Sequence, residues 1–316
     1  MSYNVETQQV SAQFVNSNFI KKIEDGRIKE AEAEGSAFVR EYVRQESYAR
    51  EIINPVLLQD DEVDRDENTD EPKKIIEKEP KSVATFVQFQ GAGPRTWFKG
   101  PRYSVYFGKV ESQHFTKSKF QLMTYQNDIR KIISDNSVKD LADQEDKKFQ
   151  DTIDELVSLN SATAAGQTTK NAAFNARAAF SANTFKRAFQ SLVGRKRPIG
   201  KMTMTKGTYY EALELTADAV GMAVATRHYD DGVEGEDKLW GIPVVTTIKN
   251  DIHDEAGGPN VYIYAPESYL GNFFLLQDAT LYIKQEADMI SFWTYAAPGI
   301  GIGNRLSIQK IELVTP

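Results

Sequence analysis

Three groupings in this 316-residue chain are of residue types that carry chemistry: two glycine-rich runs, three histidines and many carboxylates. Glycine-rich loops hold phosphate when their amides open onto a helix N-terminus at a fixed spacing. GAGPRT (91–96) lacks the third glycine of G-x-G-x-x-G, and no Gly-Lys-Ser/Thr follows it. GIGIGN (299–304) joins two strand-like segments with no helix after it. Neither spacing predicts a nucleotide site. His114, His228 and His253 are scattered, and none stands in H-E-x-x-H or H-x-H, the spacings that bring two imidazoles to one metal. His253 lies in NDIHDEAGGPN beside Asp251, Asp254 and Glu255, a composition that reads as a solvated turn before it reads as a metal site. The 45 acids single out no carboxylate pair for acid–base work. There is no G-x-S-x-G elbow. With no cysteine there is no thiolate nucleophile, thiolate metal site or disulfide. The expectation is a chain with no catalytic, cofactor-binding or metal-ligating residues.

What remains is charge and aromatic character. Residues 59–71, QDDEVDRDENTDE, set Asp60, Asp61, Glu62, Asp64, Asp66, Glu67, Asp70 and Glu71 against a single Arg65. Such a block resists packing and reads as a solvated loop or disordered tether. A calcium loop needs an Asp-Gly spacing closed by a distant Glu, and that spacing is absent. Shortly after comes GAGPRTWFKGPR (91–102), a turn-rich stretch with Arg95, Lys99 and Arg102 around Trp97 and Phe98. Its rings suit stacking on single-stranded nucleic acid or anchoring in a protein interface. A net charge of −7 disfavours nucleic-acid binding as the main task and points to the protein interface, with the acids of 59–71 as candidate partners across a subunit boundary.

The elements that must carry these stretches follow from periodicity. Ile20, Ile23, Ile28, Phe38, Tyr42 and Val43 mark a helical stripe from about 19 to 53, interrupted at Gly35–Ser36 and ended before Pro55. SVATFVQFQ and RYSVYFGKV read as a long hairpin with GAGPRTWFKGP at its tip; a two-stranded ribbon buries neither face alone, so something else must cover it. VKDLADQEDKKFQDTIDELVSL (138–159) predicts one helix about 33 Å long, apolar along Val138, Leu141, Ala142, Phe149, Ile153, Leu156 and Val157, with acids and lysines opposite. The small-residue stretch 160–180 is left without an assignment, and TFKRAFQSLV (184–193) predicts a shorter helix stopping at Gly194.

The rest reads as an α+β unit. KMTMT is a strand, and a helix opens at Gly207–Thr208 with Thr208 and Glu211 at capping-box spacing. KLWGIPVVTT is a strand with a Gly-Ile-Pro break, VYIYAP another strand, and ESYLGNFFLL a turn or helix. TLYIKQ, ISFWTY and SIQKIELV close the chain as strands. No run approaches the ~20 apolar residues of a membrane span, and the N-terminus lacks the basic-then-apolar pattern of a secretory signal.

Three stretches carry a family resemblance, and they stand in the family's order. VESQHFTKSKFQLMTYQNDIRKIISDNSVKDLADQEDKKFQDTI (110–153) resembles the passage from the extended E-loop into the spine helix of tailed-phage major capsid proteins with the Hong Kong 97-type fold. KLWGIPVVTT resembles that family's recurrent leucine-x-glycine-x-proline-valine strand, with Trp240 standing after Leu239, and RPIGKMTMTKGTYYEALELT resembles the entry to its axial domain. The acidic insertion and the N-terminal helices have no close match in the family.

The resemblance implies an α+β Hong Kong 97-type chain: an N-terminal helical arm (1–58), an acidic segment with an E-loop hairpin (59–120), a peripheral domain with a spine helix (121–198) and an axial domain (199–316), with part of 276–304 returning to the peripheral domain. It implies a non-enzymatic subunit assembling with itself as hexamers and pentamers, in the host cytoplasm, into a virion shell around double-stranded DNA touched by weak non-specific contacts. Portal, scaffold or decoration proteins are implied as further partners, and a membrane is not. Arg95, Trp97, Phe98, Lys99 and Arg102 would then be the E-loop contact, and Asp60, Asp61, Glu62, Asp64, Asp66 and Glu67 its acidic partners. An encapsulin-type compartment shell and a soluble oligomeric α+β enzyme with carboxylate chemistry are the alternatives.

Overall fold

The computed structural model describes residues 18, 20–77, 84–89, 91–93, 95, 100, 102–123, 134–163, 175–179, 181–212, 238–248 and 259–314. His228, His253, Trp97, Phe98 and Lys99 lie outside the described residues, as does most of SVATFVQFQ's approach and the helix expected beyond residue 212.

The N-terminal region is helical, but it breaks where the sequence reading did not place a break. One helical turn (20–24) ends at Gly26, whose φ of +74° suits a residue without Cβ. Helix α1 (Ile28–Glu46) then runs unbroken through Gly35 and Ser36, and α2 (Tyr48–Ile52) follows after Ser47. Gly35 is there for close approach: a Cβ on it would meet Leu281 Cδ2 at 2.3 Å. Ser36 donates to the Glu32 carbonyl and accepts the Leu281 amide, so both residues seat α1 on a strand. The helices end before Pro55, as expected, and β1 (Pro55–Leu57) begins there.

The acidic run is a correction. It folds into a 3₁₀ turn (Asp60–Glu62), strand β2 (Asp64–Arg65) and a turn into β3 (Pro72–Glu77), and β3 pairs antiparallel with β4 (Arg102–Tyr106) to make a three-stranded sheet. The ribbon partner of RYSVY is therefore PKKIIE, with Ile75 opposite Ser104, and residues 84–89 of SVATFVQFQ form no strand. Lys73 and Lys74 mask β3 in the sequence, because lysine is depleted in strands generally; here both are partly buried by their pairs with Asp66 and Glu62.

Beyond β5 (Val110–Glu111), β6 (Phe115–Ser118) and the short α3 (Lys119–Met123), the long helix α4 spans Lys139–Thr163. Then come β7 (Asn175–Ala179), α5 (Ala182–Gly194, capped by Ser181), β8 (Lys201–Thr205) and α6 (206–212). The cap of α6 is Thr205 and not Thr208: the Thr208 amide donates to Thr205 Oγ1, and the two hydroxyls pair at 2.8 Å. KLWGIPVVTT is a hairpin, β9 (Lys238–Leu239) and β10 (Ile242–Thr247), closed by Trp240 and Gly241, both at positive φ, as a two-residue primed turn requires. After β11 (Asn260–Tyr264) and the single turn α7 (Glu267–Leu270), NFFLL begins strand β12 (Asn272–Glu286) and is not helical; β13 (Met289–Gly301) and β14 (Ile308–Val314) complete the chain.

Two further sheets result. One runs β7-β14-β11-β8-β10-β9; the other runs β1-β12-β13-β5, with β6 also on β13. The six-stranded sheet is buried on both faces, which explains why every residue of β11 is buried. Val261 and Ile263 face α5 and α6 through Phe185, Leu192, Met202, Met204 and Tyr209. Tyr262 and Tyr264 face α2 and α4 through Tyr48, Phe149, Ile153 and Ile308. In the five-stranded sheet α1 lies along β12, burying Val39 and Val43 with Leu141, Ala279 and Ala296. β7 pairs with β14 and α5 packs on the Val261/Ile263 face, so both belong with the six-stranded sheet.

Candidate functional site: an exposed arm and its two anchorages

The arm is the ribbon β3–β4 with the excursion that joins its strands. Phe86 and Phe89 are fully exposed on the excursion, Val87 is half out, and Arg95 is exposed. Apolar area of this kind costs about 25 cal/mol per Å² while it faces water. Arg102 stands at the base of the excursion, where β4 begins, and pairs with Glu77 of β3 at 2.5 Å.

The acids divide. Asp66 turns inward: its carboxylate accepts the Asn68 amide at 2.8 Å, Lys73 Nζ at 3.2 Å and the Tyr106 hydroxyl at 3.1 Å. The Asn68 amide first, then Lys73 and Tyr106, hold its pKa at about 2. Glu62 meets Lys74 at 3.6 Å, and Asp70 meets Arg65 at 2.5 Å. Asp60, Asp61, Asp64 and Glu67 are exposed. The hairpin thus neutralises part of its own charge, which is why it folds where a run of eight acids predicts a tether.

The first anchorage is steric and holds the ribbon base on β13. Gly299, Gly301 and Gly303 lie under alternate β4-side residues: a Cβ on each would meet Phe107 Cδ1 at 2.6 Å, Val105 Cγ2 at 2.3 Å and Tyr103 Oη at 2.8 Å. The Gly108 amide donates to the Pro298 carbonyl, and Leu58, Val105 and Phe274 bury the joint. The glycine run GIGIGN, which has no phosphate-loop spacing, is a groove for a crossing strand.

The second anchorage is ionic and joins α2 to α4. Glu145 and Asp146 lie on the buried face of α4, in the gap of the apolar stripe between Ala142 and Phe149, where the sequence reading placed no acids. Arg50 is bidentate on Glu145, with both bonds at 2.7 Å, and its third nitrogen reaches Asp278 of β12 at 3.0 Å. Arg50 and Glu145 side chains are 1% and 0% exposed. Burial opposes both charges. For Arg50 the two carboxylates more than offset it and raise its pKa, whereas burial raises Glu145 against Arg50. The bidentate geometry is that of an ionised pair.

Asp146 accepts the Ser47 hydroxyl at 2.8 Å and the Ala49 amide at 3.0 Å, capping the five-residue α2 from a neighbouring helix. About two turns on, Asp154 accepts the Tyr262 hydroxyl and Lys310 Nζ, both at 2.9 Å, tying α4 to β11 and β14; burial pushes the Tyr262 phenol far up. These helical spacings of three and four from the apolar residues were the available signal for the buried acids.

Among the described residues no three His, Cys, Asp or Glu side chains converge on a metal position. His114 stacks on Trp293 at 4.7 Å and meets Glu111 at the sheet surface. No described helix is long and apolar enough to cross a membrane.

No protein-family model matches the sequence, and no curated protein matches it. Solved structures do match. A structure from Microbacterium phage Oxtober96 is 10% identical with a TM-score of 0.56, over 85% of this chain and 91% of its own. The capsid structure of cyanophage P-SCSP1u gives 0.52 at 10% identity, over 80% of this chain and 86% of its own. A virus-like particle from Pyrococcus furiosus gives 0.53 at 15% identity, over 88% and 98%. At such identities the likeness is one of fold: this chain has the mixed α+β fold of tailed-phage capsid proteins.

Proposed function

We propose that the chain is the major capsid protein of a tailed phage, copies of which close as hexamers and pentamers into an icosahedral shell around double-stranded DNA. The observation that carries this reading is the arm: an excursion with Phe86 and Phe89 fully exposed, on a ribbon firmly anchored at its base, is built to be covered by a neighbour. The fold likeness over most of the chain supports the same reading.

In this reading the excursion is the E-loop and α4 the spine helix. The six-stranded sheet is the axial domain, and the five-stranded sheet with α1 is the peripheral domain. Arg95, Trp97, Phe98 and Lys99 reach a neighbouring subunit, with Arg102 bracing their base, and Asp60, Asp61, Glu62, Asp64 and Glu67 face them. Asp66 is committed to its own hairpin. The role is mechanical and not enzymatic, since many weak contacts multiplied by copy number supply the strength. Assembly takes place in the host cytoplasm, with portal, scaffold or decoration proteins as further partners.

The test is size-exclusion chromatography with negative-stain microscopy of the chain expressed alone and with a candidate scaffold. Closed shells or capsomers are expected; a monomer under both conditions that also binds a small ligand overturns the reading in favour of an enzyme. Reversing Arg95 and Lys99 to Glu should impair assembly while the subunit's thermal melt is unchanged, and normal shells from that variant would remove these residues from the contact. The likeness to the Pyrococcus particle supports a second reading, a shell around protein cargo, and the content of purified particles separates the two.

A further inference from the structure

Whole-chain charge conceals a division. From Leu156 to Tyr210 the sequence holds nine lysines and arginines and no acid, while all 45 acids lie in the rest of the chain. The described part of this stretch folds as α5, the loop 195–200, β8 and the start of α6. α5 and α6 both cover the Val261/Ile263 face of the six-stranded sheet, burying Phe185, Ala188, Leu192, Tyr209 and Ala212. Lys186, Arg187 and Lys206 stand exposed on these helices, and Lys196 stands exposed on the loop just after α5. Among the described residues none of the four lies within ion-pair distance of a carboxylate. Arg197 is half-buried over the Tyr269 ring, and Lys201 is spent on the Glu51 carbonyl, so the four exposed cations define the face.

We propose that this α5/α6 face contacts nucleic acid through sequence-independent phosphate binding, and that it is the surface the shell turns toward its enclosed DNA. The inference rests on the shell reading. A polyanion is repelled by an acidic surface and is held where exposed cations outnumber carboxylates, as they do here: Glu211 of α6 is the one exposed acid among the described residues of α5, the loop and α6. The acids of 59–71 are the obvious competing partner, but Lys73, Lys74 and Arg65 already meet Asp66, Glu62 and Asp70 within their own hairpin. Contacts of lysine and arginine with phosphate carry no sequence information, so the expected binding depends on salt and not on sequence.

The experiment measures binding of a short labelled DNA duplex to unassembled subunits or open capsomers, in which the inner face is accessible, across a salt series, by fluorescence anisotropy. It compares the triple Lys186→Gln, Arg187→Gln, Lys196→Gln with a control triple of equal net charge, Arg27→Gln, Arg65→Gln, Lys284→Gln, drawn from exposed cations elsewhere. Each phosphate contact contributes about 0.9 to the slope of log affinity against log salt, so the face triple is expected to flatten that slope by about 3 and the control to leave it nearly unchanged. Equal effects of the two triples, or none from either, overturn the proposal. Loss of assembly in the face triple, with a normal melt and unchanged DNA binding by the free subunit, overturns it too and assigns the face to a second copy. A wild-type chain that stays monomeric both alone and with the candidate scaffold and binds a small ligand sinks the shell reading itself, whatever the salt series gives.

Discussion

The two anchorages hold comparable pieces of the molecule by opposite means. The α2–α4 joint buries charge: Arg50, Glu145 and Asp146 are out of water, and each is matched by a partner at 2.7–3.0 Å. The ribbon base buries no charge and relies on three missing side chains, so that Tyr103, Val105 and Phe107 lie directly on the β13 backbone and its continuation. The difference teaches where each joint is vulnerable. A buried ion pair adds little over well-packed apolar groups, yet removing one partner strands the other charge. A glycine groove holds no charge to strand and yields only to added volume.

The largest expected effect breaks the ionic joint. Arg50→Met leaves Glu145 fully buried without its cation and should cost about 3–5 kcal/mol, read as a fall in the urea midpoint of the isolated subunit. Adding Glu145→Leu to the same chain should recover most of that loss. A double variant as unstable as the single would mean that the joint depends on the pair itself.

At the steric joint Gly301→Val drives a branched side chain into Val105 and should cost about 1–3 kcal/mol. The loss should concentrate in faster amide exchange across β3 and β4, with α2 and α4 unchanged. Uniform acceleration through the whole chain would show that the two joints are one cooperative unit.

The smallest effect sharpens the comparison at the ribbon's far end. Asp66 has a folded pKa of about 2, below the roughly 3.9 of an unfolded aspartate, so its contribution is complete above about pH 4 and is lost as pH falls toward 2. The Tyr106 environment, followed by NMR, should change over that window while the α2–α4 joint stays intact. Asp66→Asn should abolish the transition.

Much of the architecture was legible because it is periodic. The 138–159 stripe marked α4, VYIYAP marked β11 as a nearly unbroken apolar run buried on both faces, and KMTMT and SIQKIELV, which mix apolar and polar residues, marked β8 and β14. The candidate site was less legible. RYSVY read as a strand, but its partner PKKIIE did not. Pairing is a long-range choice, and here it follows from where Gly299, Gly301 and Gly303 let β4 dock. The spacing of GIGIGN excludes a phosphate loop, but its use as a groove was not legible, because a glycine shows only that something comes close, not what.

The sequence by itself determined the class of the protein. Element order, the long amphipathic helix, the turn-rich basic-aromatic excursion and the lack of catalytic spacing are all local properties, and local spacing is what a linear text records. The tertiary structure alone decided where charge resides. Eight acids read as a solvated tether until Lys73, Lys74 and Tyr106 are seen to close a hairpin around them. Glu145 and Asp146 read as surface acids until Arg50, the Ala49 amide and the Ser47 hydroxyl reach them from almost a hundred residues away. The acid-free stretch 156–210 stands in the sequence, but a net charge of −7 averages it away. It becomes a surface only when α5 and α6 turn their apolar sides to one sheet and leave the cations outside. The energy of a charge depends on its solvent and its neighbours, and both are set by the fold.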